Sequence, residues 1–274
     1  MPKSQRARIE NRPTRAKIAK AMPTREGPGR KGMLFIRSAI FSSIQILSTV
    51  AYGTLCLVFA WLAPFPARHR FVTFWVRFNL WCLAKICALD YQVEGKENIP
   101  ETAGVILSRH ESAWEALALQ AVFAPQIWVL KRELLWIPFL GWGLMAVEPI
   151  TLDRGAGARA LGKLVREGCE RVKAGIRVII FPEGTRVAPG ETKPYQSGGA
   201  MLAKRAGCCI LPVAHNAGDF WARRSFIKRP GTIRVVIGPA IESKDRGVAE
   251  MNALAREWIE DAMGRIRKDR GKNF

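Results

Sequence analysis

The strongest restriction on the fold comes from residues 38–67, a run that contains no charged side chain. About 20 apolar residues are enough for a helix to cross a bilayer, and this run is too long and too late in the chain for a cleaved signal peptide. Residues 71–89 are also apolar and aromatic, but Arg77 and Lys85 favour the membrane interface for this second segment. Together the two segments predict a membrane-associated helical hairpin over residues 33–89.

Positive charge is concentrated at the start of the chain. The formal net charge is +20, and residues 1–32 hold ten Lys and Arg against two Glu. Its apolar residues do not recur at a helical or strand spacing, so this segment predicts a basic disordered arm. The alternative is that the protein truly starts at Met22 or Met33. A basic protein suits polyanionic partners: nucleic acid, anionic lipid headgroups or an acidic carrier protein.

The hairpin is flanked by cations. Arg30, Lys31 and Arg37 precede it, and Arg68 and Arg70 lie in its bend. Lys and Arg prefer the cytoplasmic side of a membrane. We therefore expect a cytoplasmic-membrane protein with its site on the cytoplasmic side. The hairpin would dip into the bilayer or cross it twice, and a single crossing stays open.

The six cysteines show no C-x-x-C pair, and the chain has only three His. No recognised zinc spacing results, so we expect no metal site. Cysteines in apolar stretches are usually small core or lipid-facing residues. The sequence thus predicts six reduced thiols in a cytosolic environment.

From residue 90 onward, short β-type runs alternate with helical runs. This order predicts an α/β domain over residues 90–274, with a mixed, largely parallel sheet flanked by helices. The predicted strands are 91–94, 104–108, 127–130, 178–181, 210–214 and 233–237. The predicted helices are 113–123, 156–174, 198–206 and 248–267.

His110 and Glu115 follow the predicted strand 104–108, where a helix begins. The carboxyl end of a strand is where α/β folds place functional groups. Residues five apart point away from each other on one continuous helix, but they can meet if His110 lies on the preceding turn. Glu115 would then hold one imidazole nitrogen and leave the other as a general base. The competing interpretation is a capping box from Ser112 to Glu115, in which Glu115 only caps the helix.

The hexapeptide F-P-E-G-T-R, residues 181–186, follows another predicted strand. Pro182 ends that strand, and Gly184 permits a tight turn. Arg186 then projects from a fixed loop as a guanidinium suited to a phosphate. The alternative is a surface turn with a solvated arginine.

Two further segments carry weaker signals. In residues 129–143, the cations Lys131 and Arg132 precede an aromatic, glycine-punctuated apolar patch. This patch would either border an acyl chain or pack in the core, as aromatic residues more often do. In residues 210–216, a buried strand ends at His215, for which a hydrogen-bonded structural role is favoured over a place in the site.

These four segments, in this order, resemble the motifs of the glycerolipid acyltransferase family, which includes 1-acyl-sn-glycerol-3-phosphate acyltransferases. The H-x4-D motif of that family corresponds to His110 and Glu115, and its second block to residues 131–143. Its F-P-E-G-T-R-like block corresponds to residues 181–186, and its proline-containing strand to residues 210–216. The resemblance covers roughly residues 90–240.

The first motif departs from the family pattern at two positions. Glu115 stands where the family usually has Asp, and its extra methylene keeps the dyad chemically reasonable. Arg109 stands where Asn is common, which leaves the acceptor less certain than the reaction.

The resemblance implies a glycerol-3-phosphate acyltransferase-like fold. It also implies transfer of a fatty-acyl chain from acyl carrier protein or coenzyme A to the sn-2 hydroxyl of 1-acyl-sn-glycerol-3-phosphate at an anionic membrane. The product would be phosphatidic acid, and the acyl thioester would be a co-substrate with no other cofactor. In that reaction His110 and Glu115 would be catalytic. The substrate would be bound by Lys131, Glu183, Gly184, Thr185 and Arg186.

Three rival functions are weighed against this one. The same chemistry on another lysolipid is the first. Nucleic-acid binding fits the charge, but the chain has no Gly-rich phosphate loop or recognised nucleic-acid motif, and the uncharged run opposes it. The third is a basic membrane scaffold without activity, which the presence of His110, Glu183 and Arg186 argues against.

Overall fold

The computed structural model describes residues 28–59 and 62–272, so most of the predicted basic arm lies outside the described residues. The helices are α1 (Pro28–Phe59), α2 (Phe65–Cys87), α3 (Trp114–Val122), α4 (Leu140–Ala146), α5 (Ala158–Lys173), α6 (Gly198–Ala206), α7 (Ala217–Phe220) and α8 (Val248–Lys272). The strands are β1 (Leu89–Glu94), β2 (Val105–Ser108), β3 (Gln126–Lys131), β4 (Ile150–Leu152), β5 (Arg177–Ile180), β6 (Ile210–His215) and β7 (Gly231–Ile237). Short 3-10 turns occur at Lys96–Asn98, Arg132–Trp136 and Arg154–Ala156.

The seven strands form one sheet in the order β1-β7-β6-β2-β5-β3-β4. Neighbouring strands are parallel except for β6 and β7, which are antiparallel. The mixed, largely parallel sheet is therefore confirmed, and so are the six predicted strands. The sequence does not predict β4, because three residues are too few to show an alternating pattern.

Helices cover both faces of the sheet, so all four residues of the central strand β2 are buried. On one face, Leu83 of α2 and Ala118 of α3 pack in a layer with Ile106 of β2. On the other face, Leu164 of α5 and Ile259 of α8 pack in a second layer with β2 and β5. This arrangement leaves the carboxyl ends of the parallel strands as the open edge of the sheet.

The two N-terminal helices form the predicted hairpin. The rings of Tyr52 and Phe71 stack with centroids 4.9 Å apart, and the indole N–H of Trp75 donates to Ser48 Oγ at 3.2 Å. The second helix also belongs to the α/β domain, since its buried face, including Leu83, lies in the domain core. The hairpin and the domain thus share one packed interior.

The first helix presents apolar side chains to the outside. Ile46 is 63% exposed and Leu47 is 69% exposed. Within the described part of the chain, Gly29–Phe59 is the one helix long and apolar enough to cross a membrane. A buried core helix can have the same composition, but exposure of this size favours contact with lipid.

Candidate active site

The structure brings His110 and Glu115 together at the end of the central strand. His110 lies on the turn between β2 and α3, and Glu115 lies in the first turn of α3. Nδ1 of His110 is 2.6 Å from Oε1 of Glu115. The His110 side chain is 18% exposed, whereas that of Glu115 is completely buried. Because Nδ1 is occupied, Nε2 is the ring nitrogen left for a substrate proton.

The dyad and the capping contact of Glu115 exist together. The backbone N–H of Ser112 donates to both carboxylate oxygens of Glu115 at 2.9 Å, and that of Glu111 donates at 3.0 Å. Burial would raise the pKa of Glu115, but the hydrogen bond to His110, the nearby imidazole rings and the Ser112 N–H lower it below its usual value. The group that caps the helix is therefore also a stable carboxylate for His110.

An aromatic stack fixes the plane of the His110 ring. The rings of His110 and Phe181 lie almost parallel, at 12°, with centroids 3.9 Å apart. Trp128 continues the stack on the far side of Phe181 at 5.7 Å, and its indole N–H donates to Gln120 Oε1 at 3.0 Å. The sequence identified Phe181 as part of a motif, but it gave no sign of this ring contact.

His215 has the structural role that was favoured from the sequence. Its side chain is completely buried. Its Nε2 is 2.8 Å from the carbonyl oxygen of Arg109, and its Nδ1 accepts the backbone N–H of Ala217 at 3.3 Å. These partners assign the ring proton to Nε2. Burial lowers the pKa of His215, so the neutral ring braces the turn that carries His110.

The F-P-E-G-T-R loop is tied to the same turn. The backbone N–H of Val187 donates to the His110 carbonyl at 2.8 Å. Gly184 has φ of 67°, a conformation that favours glycine, and its N–H closes a turn onto the Phe181 carbonyl at 3.0 Å. Thr185 and Arg186 follow at the half-buried surface. The predicted substrate-binding residues of this loop thus lie beside the dyad.

Glu183 is placed differently from its neighbours in the loop. The residue is only 5% exposed, and its Oε1 is 3.6 Å from Nη1 of the buried Arg109. Burial raises the pKa of Glu183 to about 7. This carboxylate faces the protein interior rather than the outer part of the loop.

Lys131 lies at the surface end of β3, separated from β2 by β5 in the sheet. Its side chain is 48% exposed and forms an ion pair with Glu133 at 2.9 Å. The patch that follows is also exposed, with Trp136 at 70%. Of the two interpretations of this patch, core packing is therefore wrong for Trp136.

A second set of contacts connects the dyad turn to the first helix. Ser112 Oγ donates to the Trp221 carbonyl at 2.6 Å. The Trp221 ring meets Phe41 of α1 edge to face at 5.9 Å. Lys228 Nζ lies 4.8 Å from the centre of the Trp221 ring and donates to Ser42 Oγ at 2.7 Å. Sequence reasoning missed these residues, since neither Trp221 nor Lys228 belongs to a recognised motif.

Comparisons with known proteins agree with this geometry. The family model described as Acyltransferase matches residues 90–216. A Pseudomonas aeruginosa protein named 1-acyl-sn-glycerol-3-phosphate acyltransferase is 44% identical over 84% of this chain and 91% of its own length. A Saccharomyces cerevisiae protein of the same name is 33% identical over 46% of this chain and 42% of its own.

A solved structure shares the fold. The crystal structure of the 1-acyl-sn-glycerophosphate acyltransferase from Thermotoga maritima superposes with a TM-score of 0.71. It is 23% identical, and the match covers 85% of this chain and 95% of that one. With the sequence relatives, the strand order and the dyad, these findings show that the chain belongs to the acyltransferase family that contains the 1-acyl-sn-glycerol-3-phosphate acyltransferases.

Proposed function

We propose that this enzyme transfers a fatty-acyl chain from an acyl thioester to the sn-2 hydroxyl of 1-acyl-sn-glycerol-3-phosphate, which forms phosphatidic acid. The observation that carries the proposal is the 2.6 Å contact between His110 Nδ1 and Glu115 Oε1 at the open end of the sheet. The name of the Pseudomonas aeruginosa relative supports the choice of acceptor.

The dyad supplies the base for this reaction. Glu115 accepts the Nδ1–H of His110, so the lone pair on Nε2 takes the proton of the acceptor hydroxyl. The hydroxyl oxygen attacks the thioester carbonyl, and the tetrahedral intermediate collapses with cleavage of the C–S bond. The thiolate that leaves receives the proton from Nε2, which restores the neutral imidazole. The chain contains no G-x-S-x-G elbow, in keeping with direct transfer and no acyl-enzyme.

Arg186 and Lys131 are the cations that would hold the acceptor phosphate. Arg186 follows the Gly184 turn, and the Arg223 guanidinium donates to its carbonyl at 3.0 Å, which adds positive charge beside it. Lys131 is the second candidate. Its ion pair with Glu133 is exposed and screened by solvent, so exchange for a phosphate costs little.

The exposed apolar face of α1 would hold the enzyme at the membrane that contains its lipid substrates. Cations at the N-terminal end of α1 and at the start of α2 favour the cytoplasmic side for the site. Anionic headgroups would attract the basic surface. The donor would be a thioester of acyl carrier protein or coenzyme A, both of which are cytoplasmic, and the chemistry draws on no further cofactor.

The test uses membranes that contain the wild type or the His110→Ala variant, supplied with lysophosphatidic acid and a labelled acyl thioester of either carrier. A matched control is Arg166→Ala, since Arg166 is 67% exposed on α5. We expect label in phosphatidic acid for the wild type and the control, and loss of at least about 100-fold in His110→Ala. Label in another lysolipid alone would change the acceptor. No transfer by the wild type across donors and acceptors would favour the scaffold.

A further inference from the structure

Arg109, which precedes His110, turns its side chain into the protein. Its side chain is completely buried, and each nitrogen of the guanidinium has a partner. Nε donates to Glu111 Oε1 at 3.1 Å, Nη1 donates to Glu260 Oε1 at 2.8 Å, and Nη2 donates to the carbonyl of Glu191. The head group is fully engaged inside the protein, so it is not available for the acceptor lipid.

These contacts form a charged cluster that joins the dyad turn to the C-terminal helix. The Arg109 cluster contains two cations and three carboxylates: Arg109, Arg267, Glu111, Glu183 and Glu260. Both Arg267 and Glu260 come from α8, and they are 31% and 24% exposed. The remaining three side chains are completely buried. Arg109 is therefore the buried cation that offsets the buried acids, and its loss would leave them uncompensated.

In the part of the chain that the structure describes, Arg109 is the one cation within ion-pair distance of Glu183. Among the described residues, neither of its oxygens has a partner in hydrogen-bonding geometry. Its Oε1 is 3.6 Å from Arg109 Nη1, the nitrogen that also serves Glu260. The dipoles of the Glu183 and His110 backbone N–H groups, like the charge of Arg109, lower the pKa of Glu183 against the effect of burial, and the charge of Glu115 raises it. Two neighbouring carboxylates oppose each other's ionisation unless a cation lies between them.

We propose that Arg109 is a positioning residue for acyl transfer: held by Glu260, its guanidinium stabilises the negative charge of Glu183 beside the His110 turn. The inference deepens the proposed function and rests on it. Arg109 acts through Glu183. It touches neither the acceptor nor the thioester.

A charge-balanced double variant tests the proposal. Arg109→Gln with Glu260→Gln removes one positive and one negative charge, so the net charge of the cluster stays the same, although the buried Glu111 and Glu183 lose their buried cation. We expect kcat to fall about 10- to 100-fold, with the KM for lysophosphatidic acid within about twofold of the wild type. Thermal unfolding of the double variant, measured beside the wild type, shows whether the variant is folded.

The pH profile gives a readout that a purely structural role would not move. Glu183 faces Arg109, His110, Glu115 and Tyr195. Arg109 lowers the pKa of Glu183 against the effect of burial, so removal of the guanidinium raises that pKa. Protonation then begins at higher pH as the pH falls, and the acid limb of kcat/KM moves to higher pH in the double variant.

The single variant Glu260→Gln moves the acid limb in the opposite direction. The glutamine amide oxygen still accepts from Nη1 of Arg109, but it carries no negative charge to offset the guanidinium, which lowers the pKa of the Glu183 carboxyl. The acid limb therefore moves to lower pH. If the double variant does not fold, the pH profile of Glu260→Gln tests the proposal instead. Glu257→Gln, an exposed acid on the same helix, is the matched control and keeps the wild-type profile.

Three results would overturn the inference: wild-type kcat with an unmoved acid limb in the double variant, a raised KM with unchanged kcat, or an unmoved limb in Glu260→Gln. Arg109→Lys keeps the charge and should recover most of the kcat that is lost in the double variant. An equal loss in Arg109→Lys would contradict the charge argument. Failure of the proposed function looks different, because the wild type itself would then be inactive.

Discussion

Replacement of Glu115 by glutamine separates the two functions that its carboxylate combines. Glutamine completes a capping box as well as glutamate does. With its amide oxygen in the place of Oε1, it still accepts from His110 Nδ1 and from the N–H groups of Glu111 and Ser112. The amide NH2 in the place of Oε2 loses only the second contact of the Ser112 N–H. The tautomer of His110 is therefore kept. What disappears is the negative charge beside the imidazolium that forms when the acceptor loses its proton.

The size of the effect follows from the burial of the contact. A hydrogen bond to a charged group contributes about 1.5–3 kcal/mol, and Glu115 is completely buried. If that stabilisation is lost in the transition state, kcat falls roughly 10- to 150-fold. The cap is kept, so stability changes by about 1 kcal/mol, which is about 2–4 °C in Tm for a chain of this size.

The assay is acyl transfer at saturating donor and acceptor, paired with thermal unfolding of each variant. Glu115→Asp is the matched control, because it keeps the charge and shortens the side chain by one methylene. We expect its kcat to lie above that of Glu115→Gln. A glutamine variant that folds and retains kcat within about twofold of the wild type would reduce Glu115 to a helix cap and refute the dyad.

Three other changes have defined outcomes. Arg186→Ala should raise the KM for lysophosphatidic acid about 10-fold or more, while the exposed control Arg166→Ala leaves it unchanged in the same assay. Phe181→Leu should lower kcat about 3- to 10-fold with constant KM, and Phe181→Tyr should retain activity, because a leucine cannot stack on the imidazole. Gly53→Ala places a Cβ 2.3 Å from the Phe139 carbonyl oxygen, so thermal unfolding should show a loss of about 1–3 kcal/mol.

The sequence predicted the parts of the fold that depend on local pattern. Six strands and the helices at 113–123, 156–174, 198–206 and 248–267 were visible because apolar periodicity reports directly on burial. The sequence does not predict α4, since glycines at 141 and 143 interrupt its seven residues.

The dyad could be predicted as a possibility but not distinguished from a cap. The sequence spacing made the partner of His110 and the cap of α3 alternative roles for Glu115. Only the geometry of the turn shows that one carboxylate performs both. The environment of Arg109 was beyond prediction, because its partner Glu260 is 151 residues away along the chain. Such contacts depend on how α8 packs, and a single sequence carries no signal of that.

The small exposed fraction of His110 affects how much acyl thioester is lost to hydrolysis. A base that activates an alcohol also activates water, and water would hydrolyse the thioester and waste the acyl group. Here Phe181 covers one face of the imidazole, Glu115 occupies one nitrogen, and only 18% of the side chain is exposed. A lipid that fills the remaining edge displaces the competing nucleophile, so the geometry favours ester synthesis over futile hydrolysis.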